Sequence, residues 1–140
     1  MTHQFEVQAE LILHATEDSK KIFDPIFELF QIKEDEFIIG KTLGHYGNII
    51  SLAKLILVKK RAEEFVKKLA SKISKTQMDE LIENMDLYFE DTSLFLRIGK
   101  SELVNKEISL QQNNAIKIKI KMPIYKKDQI LKKYTDLLTV

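Results

Sequence analysis

Apolar and polar residues alternate strictly at the start of the chain. Phe5, Val7, Ala9, Leu11 and Leu13 are separated by Glu6, Gln8 and Glu10, a period of two that gives a strand one buried and one wet face. The strand should end near His14, with Thr16 capping a helix and Glu17 and Asp18 favoured in its first turn. Ile22, Phe23, Ile26, Phe27 and Phe30 then follow helical spacing. Pro25 interrupts them, which predicts either a kink or a fresh helix start with Asp24 as cap.

A second strand is expected from Phe37 to about Leu43, and a third, aliphatic and central, from Ile49 to Val58. Between them Gly44 and Gly47 bracket His45 and Tyr46, and Asn48 also tolerates positive φ, so the connection reads as a hairpin. Ala62, Phe65, Val66, Leu69 and Ile73 form one apolar stripe of a helix over 60–73, supported by acid-first pairs such as Glu63 with Lys67. Ser74 and Gln77 have capping-box spacing before a helix at about 76–85, whose outer face carries Asp79, Glu80, Glu83 and Asp86. Residues 94–98 read as a strand after a turn at 91–93. The connection 101–106 has no pattern that assigns it. Ile116, Ile118 and Ile120 alternate with Lys117, Lys119 and Lys121 until Pro123 stops the strand. A closing helix over 128–138 should bury Ile130, Leu131, Tyr134, Leu137 and Leu138. These elements predict an α+β fold: one mainly antiparallel or mixed sheet of about five strands, helices mostly on one face, and a single domain over 1–140.

Composition narrows the functional classes. Against 21 Asp and Glu stand 22 Lys and Arg, a formal net charge of +1, so a polyanion site must come from uneven placement of charge. The absence of cysteine excludes disulfides and thiolate metal sites. No apolar run approaches the ~18 residues of a membrane span, and the first residues lack a signal-peptide pattern. A cytoplasmic protein without a membrane partner is expected.

Three features carry candidate chemistry. Lys59, Lys60 and Arg61 stand where a helix begins, and outward backbone N–H groups at a helix N-terminus form an anion site that cations would strengthen. The bland alternative leaves Lys59 and Lys60 as a solvated strand end. Lys117, Lys119 and Lys121 stand about 6.6 Å apart along one strand face, close to the phosphate spacing of a nucleic-acid strand. Glu6 and Glu10 would neutralise them if the two strands pair. Tyr46 and Tyr125 are the only rings expected to be exposed, too few for a stacking platform. His14 and His45, with Glu17, Asp18 and Tyr46, lack metal-ligand spacing. No catalytic motif, cofactor fingerprint or metal set emerges.

His14-Ala15-Thr16-Glu17-Asp18, Gly44-His45-Tyr46-Gly47-Asn48, Lys59-Lys60-Arg61, Leu96-Arg97-Ile98-Gly99-Lys100 and the run 116–125 resemble a family of small archaeal proteins. That family is described as predicted RNA-binding proteins or exosome subunits, and the resemblance spans the chain from about His3 to Leu138. It implies a fold similar to the ribosomal large-subunit protein that binds the small ribosomal RNA, and a non-catalytic role in RNA processing or degradation. It makes RNA the expected polyanion, held by Lys59, Lys60, Arg61, Arg97, Lys100, Lys117, Lys119 and Lys121, with Gly44, His45, Tyr46, Gly47 and Asn48 shaping an adjacent loop. Ile49 stands where the pattern expects proline, and Pro25 breaks a helix that the pattern leaves whole. The rival expectation is a protein-interaction module or homodimeric scaffold with no direct RNA contact, suited to the acidic helix face and the near-zero charge.

Overall fold

The computed structural model describes residues 5–44, 47–123 and 127–139. Its centre is β1 (Glu6–His14), hydrogen-bonded on both sides. To one side lie β3 (Ile49–Val58) and then β2 (Ile38–Leu43). To the other lie β6 (Ala115–Lys121), β5 (Ser93–Gly99) and the two-residue β4 (Phe89–Glu90). The order β2-β3-β1-β6-β5-β4 makes six strands, every neighbouring pair antiparallel. The sixth strand, β4, leaves no periodic signal because two residues cannot show a period.

Alternation decides which face is buried. Val7, Leu11, Leu55, Leu57, Leu94, Leu96, Ile118 and Ile120 are all buried on one side of the sheet. Over them pack α1 (Lys20–Phe30), α2 (Lys59–Lys72), α3 (Lys75–Glu83), α4 (Lys100–Val104) and α5 (Ile130–Leu138). Phe30 of α1 and Phe65 of α2 meet with ring centroids 4.8 Å apart, tying the two helices over the sheet. No helix lies over the opposite face among the described residues. The expected α+β layering is therefore what folds, with six strands instead of about five.

Several local expectations are corrected. Thr16 caps no helix: α1 begins later, after Ser19, and Thr16 lies in the preceding turn. Pro25 starts no new helix at Asp24 but sits inside α1 and is itself buried. With Pro25 on the buried arc, Phe27, about 100° round from Ile26, falls outside it and is exposed. Leu131, in the first turn of α5, is likewise exposed. The unassigned connection after Gly99 forms α4. β3 is one strand in from the edge, not central, since β2 and β3 make one side of the sheet. The Ser74 side chain does accept the Gln77 N–H, at 3.2 Å. The Gln77 side chain turns away from that box, donating to Ser109 Oγ at 3.1 Å and accepting the Leu110 N–H at 2.9 Å.

Tyr134 fastens α5 to the sheet. Its ring is fully buried, and its hydroxyl lies 2.8 Å from the Thr92 carbonyl and 2.9 Å from that of Ile120, donating to one or the other. Burial pushes its pKa well above the ordinary phenol value. Tyr134→Phe strips those carbonyls of their donor and should cost about 1–2 kcal/mol, read as a lower urea midpoint with an unchanged m-value; an unshifted midpoint would mean that the hydroxyl contributes nothing.

Candidate functional site

Strand register settles which side chains share the uncovered face. β1 and β6 pair Glu6 with Lys121, Gln8 with Lys119 and Glu10 with Lys117. β6 and β5 pair Lys119 with Phe95 and Lys117 with Arg97. On its other side β1 pairs Glu6 with Val58, the residue before Lys59. Strands lie about 4.8 Å apart and alternate residues of one strand about 6.8 Å. Lys121, Lys119, Lys117 and Arg97 thus succeed one another in a single track on this face, and the α2 start follows the strand end beside it. The step from β3 to β6 is two strand spacings, about 10 Å.

Acids interleave with this track, as the pairing of β1 with β6 requires. Lys121 Nζ lies 3.5 Å from a Glu6 carboxylate oxygen that also accepts from Gln8, at 2.8 Å. Glu10 stands between Lys117 and Lys54, which the strand registers place on either side of it. Lys117 and Arg97 are exposed, while Lys119 Nζ rides 5.4 Å above the centroid of the Phe95 ring. Only Lys121, of the three stripe lysines, has an ion-pair partner among the described residues.

Lys59, Lys60 and Arg61 all lie in the first turn of α2, so the choice between helix start and strand end falls to the helix. Lys59 turns the chain out of β3 with φ of 56°, and its N–H donates to the Phe5 carbonyl at 2.7 Å. Val58, in the capping position, offers no side-chain acceptor to the first N–H groups of the helix. The Lys59 and Lys60 side chains are both exposed, and neither is ion-paired among the described residues. Arg61 is committed to Glu36, whose carboxyl is held below its usual range by that hydrogen bond and by the Lys33 N–H.

Lys100 is a correction. Its side chain is only 4% exposed, and its Nζ donates to the Ile12 carbonyl at 2.7 Å and to Glu17 Oε1 at 2.9 Å. Glu17 also accepts the His14 N–H at 3.0 Å. Burial works to raise the Glu17 pKa, but the His14 N–H and Lys100 outweigh it and hold the carboxyl below its usual range. Lys100 and the turn after β1 therefore fasten β1 to the β5–α4 junction, and this ammonium is not available to phosphate.

The glycine loop is a second correction. Gly44 donates to the Asn48 carbonyl at 2.5 Å and Gly47 to that of Gly44 at 3.0 Å, with Gly47 at φ 79°, closing the β2–β3 hairpin as expected. Lys59 to Arg61, however, lie at the far end of β3, a strand of ten residues, about 30 Å away. His45, Tyr46 and Tyr125 lie outside the described residues. His14 is exposed, its Nε2 4.0 Å from Glu17 Oε1, which makes it part of the Lys100 brace. No cluster of metal-ligating side chains occurs among the described residues.

Sequence reasoning missed Phe95 and Lys54. Phe95 alternates with Arg97 on the polar phase of its strand, and a ring in that phase is the signal that finds it. Beside it the outer edge of β5 opens into a groove of about 700 Å³ bordered by Tyr88, Phe89, Phe95, Arg97 and Lys117. The groove depends on contacts between α3 and the segment before β6, which no local pattern announces.

These features define an α+β protein that covers one face of an antiparallel sheet with helices and presents a cation track on the other. The chain belongs to the family described as RNA binding, whose model matches residues 6–122. It is similar in structure to protein AF2318 from Archaeglobus fulgidus, a DUF54 protein, with 27% identity and a TM-score of 0.79 over 96% of this chain and 99% of that one. Mth689, a DUF54 protein from Methanothermobacter thermautotrophicus, gives 24% identity and a TM-score of 0.76 over 96% and 98% of the two chains. A UPF0201 protein from Methanococcus jannaschii shares the fold at 15% identity and a TM-score of 0.59, over 95% and 98%. None of the curated proteins compared with the chain matches it.

Lys100→Met should destabilise the protein by about 2–3 kcal/mol, below the full range for broken buried pairs because Glu17 is 30% exposed. The depressed Glu17 pKa contributes stability that is present above the unfolded carboxylate value, about 4.3, and is lost as pH falls through the folded value. Urea unfolding of Glu17→Gln against wild type should show the full difference at pH ~7 and a narrowing gap as the pH falls below the unfolded carboxylate value and through the folded one. A gap that persists in acid would assign the loss to packing.

Proposed function

We propose that the protein is a non-catalytic RNA-binding protein whose RNA lies along the open face of the sheet, running from the α2 start along the track of Lys121, Lys119 and Lys117 to Arg97. The observation that carries this reading is the register that turns scattered cations of a nearly neutral chain into one line. The family description supports RNA as the polyanion. Side chains held at phosphate spacing position a strand without reading its sequence, so weakly sequence-specific binding follows. An accessory role in RNA processing or degradation, with the exosome as the implied setting and the cytoplasm as its place, rests on the family resemblance.

A second reading, a homodimer or protein complex formed at the sheet edge, is favoured by one observation. Along β2 and β3 the side chains of Ile38, Leu43, Ile49 and Ile56 are all exposed, with Ile38 at 76% and Leu43 at 70%, beside an edge strand with one unpaired side.

Lys59, Lys60, Lys117, Lys119 and Arg97 neutralising one phosphate each would give a log–log salt slope near −3.5 on a single strand, at about −0.7 per phosphate. Replacing Lys117 and Lys119 by Ala should make that slope shallower by about 1.4 and weaken all sequences alike. Lys132→Ala, on the exposed side of α5, should leave it unchanged. A fluorescence titration in which the double variant keeps the wild-type slope moves the RNA elsewhere. Sedimentation separates the second reading: dimers without RNA that dissociate in an Ile38→Glu, Leu43→Glu variant would establish it, and a monomer at all concentrations would remove the homodimer.

A further inference from the structure

The outer edge of β5 is paired at both ends and open in the middle. β4 takes Ser93 and Leu94. The segment before β6 resumes the pairing beyond the gap, where Gln111 N–H donates to the Arg97 carbonyl at 3.0 Å and Gly99 N–H to the Ser109 carbonyl at 2.9 Å. Alternate residues of an antiparallel strand direct their backbone groups to the same edge. The C=O of Phe95 and the N–H of Arg97 therefore face the gap, since the Leu94–Phe89 pairing takes the Phe95 N–H and Gln111 takes the Arg97 carbonyl. The opening is held by design of the surrounding bonds: Gln77 of α3 grips Ser109 Oγ and both backbone groups of Leu110, so the segment cannot slide along to close the ladder.

The resulting groove combines three kinds of surface. Its lip toward the open face carries the Phe95 ring, with Tyr88 beside it. At the mouth stand Arg97 and Lys117, which belong to the cation track. Glu80 and Glu90, both exposed, stand on the rim toward α3 and β4. A phosphate is drawn to the first pair and repelled by the second, so a chain passing here keeps its backbone on the Arg97 side. What enters the groove must be flat enough to lie on an aromatic ring and polar enough at its edge to meet an unpaired backbone N–H and C=O.

We infer that the groove takes an unpaired nucleobase of a bound RNA strand, stacked on Phe95 while Arg97 and Lys117 hold the neighbouring phosphates. This inference rests on the RNA-binding reading and adds to it a substrate class, single-stranded RNA in preference to duplex. A paired base keeps its edge engaged and its faces stacked within the helix, so it cannot enter. A volume of about 700 Å³ lies within the ordinary range of ligand clefts.

A short RNA strand carrying a fluorescent adenine analogue, and a hairpin duplex with the same number of phosphates, test this together. Emission of the analogue should change on binding, and the single strand should bind more tightly than the duplex. Phe95→Leu should lower single-strand affinity about 5- to 150-fold, the range for one lost base stack, with the salt slope kept because stacking is not ionic. Phe95→Tyr, which keeps a ring, should bind like wild type and guards against a folding defect in the leucine variant. Salt-sensitive binding in which duplex and single strand are equal, or in which Phe95→Leu is within twofold of Phe95→Tyr, overturns the base site and leaves the cation track standing. Failure of both RNAs to bind at low salt overturns both readings.

Discussion

The register of β1 between its two neighbours is the constraint on which the rest of the structure depends. β1 is hydrogen-bonded to β3 over its whole length and to β6 over Glu6 to Glu10, and one of its faces is fully buried. Shifting either ladder by a single residue would move a whole row of side chains to the wrong face. For β6 the slip would expose Ile116, Ile118 and Ile120 and bury three ammonium groups. Each buried aliphatic is worth about 1.5–3 kcal/mol, so the lysines are held outward by the cost of moving the isoleucines. The cation track is fixed by the core that lies beneath it.

Charge separation then makes a surface of one sign possible on a molecule with a formal charge of +1. Asp79 and Glu83 project from α3, while the open face gathers cations from β5 and β6, with the α2 start at the end of β3. The separation is incomplete, because β1 brings Glu6 and Glu10 onto the same face. Screening acts over about 10 Å at 0.1 M salt, and the track is longer than that. Attraction to a polyanion is therefore local, set by which ammonium groups stand clear of a carboxylate. Lys59, Lys60, Lys117 and Lys119 have no ion pair among the described residues, whereas Arg61 and Lys121 share their charge with Glu36 and Glu6. Surface pairs of that kind contribute little to stability, so they narrow the site more than they strengthen the fold.

Much of this was legible in the sequence, for identifiable reasons. The alternations at 5–13 and 115–121 are long enough to give strand, face and the outward direction of Lys117, Lys119 and Lys121. The α2 stripe, the acidic outer face of α3 and the Gly44–Gly47 hairpin rest on equally local signals. What local signals cannot carry is partnership across the chain. Lys100 reads as a solvated strand-end cation, and only contact with Glu17, on a turn 83 residues earlier, shows it to be a structural brace. β4 is too short for periodicity. The β5 gap exists because Gln77 holds Ser109 and Leu110 from 32 and 33 residues away, and the groove follows from that bond. In the glycine loop local signals give the hairpin but not its location, since placing it beside Lys59 ignores the length of the strand between them.

The open face is also divided in composition. On the β5–β6 side it is cationic with one ring; on the β2–β3 side Ile38 and Ile56 stand in the same phase, with Lys54 the interrupting charge. β1 carries the boundary, its acids facing the lysines of β6 and its Ile12 facing Leu52 of β3. Water contact with the apolar half costs free energy in proportion to its area, whereas the basic half is well solvated and gains only from a counter-charge. The two halves thus favour different partners by different forces, one insensitive to moderate salt and the other weakened by it. A polyanion on the β5–β6 side leaves the β2 edge uncovered. Occupation of that edge by protein would leave the track open, so the two proposed partners would not compete for this sheet and would be separable by ionic strength.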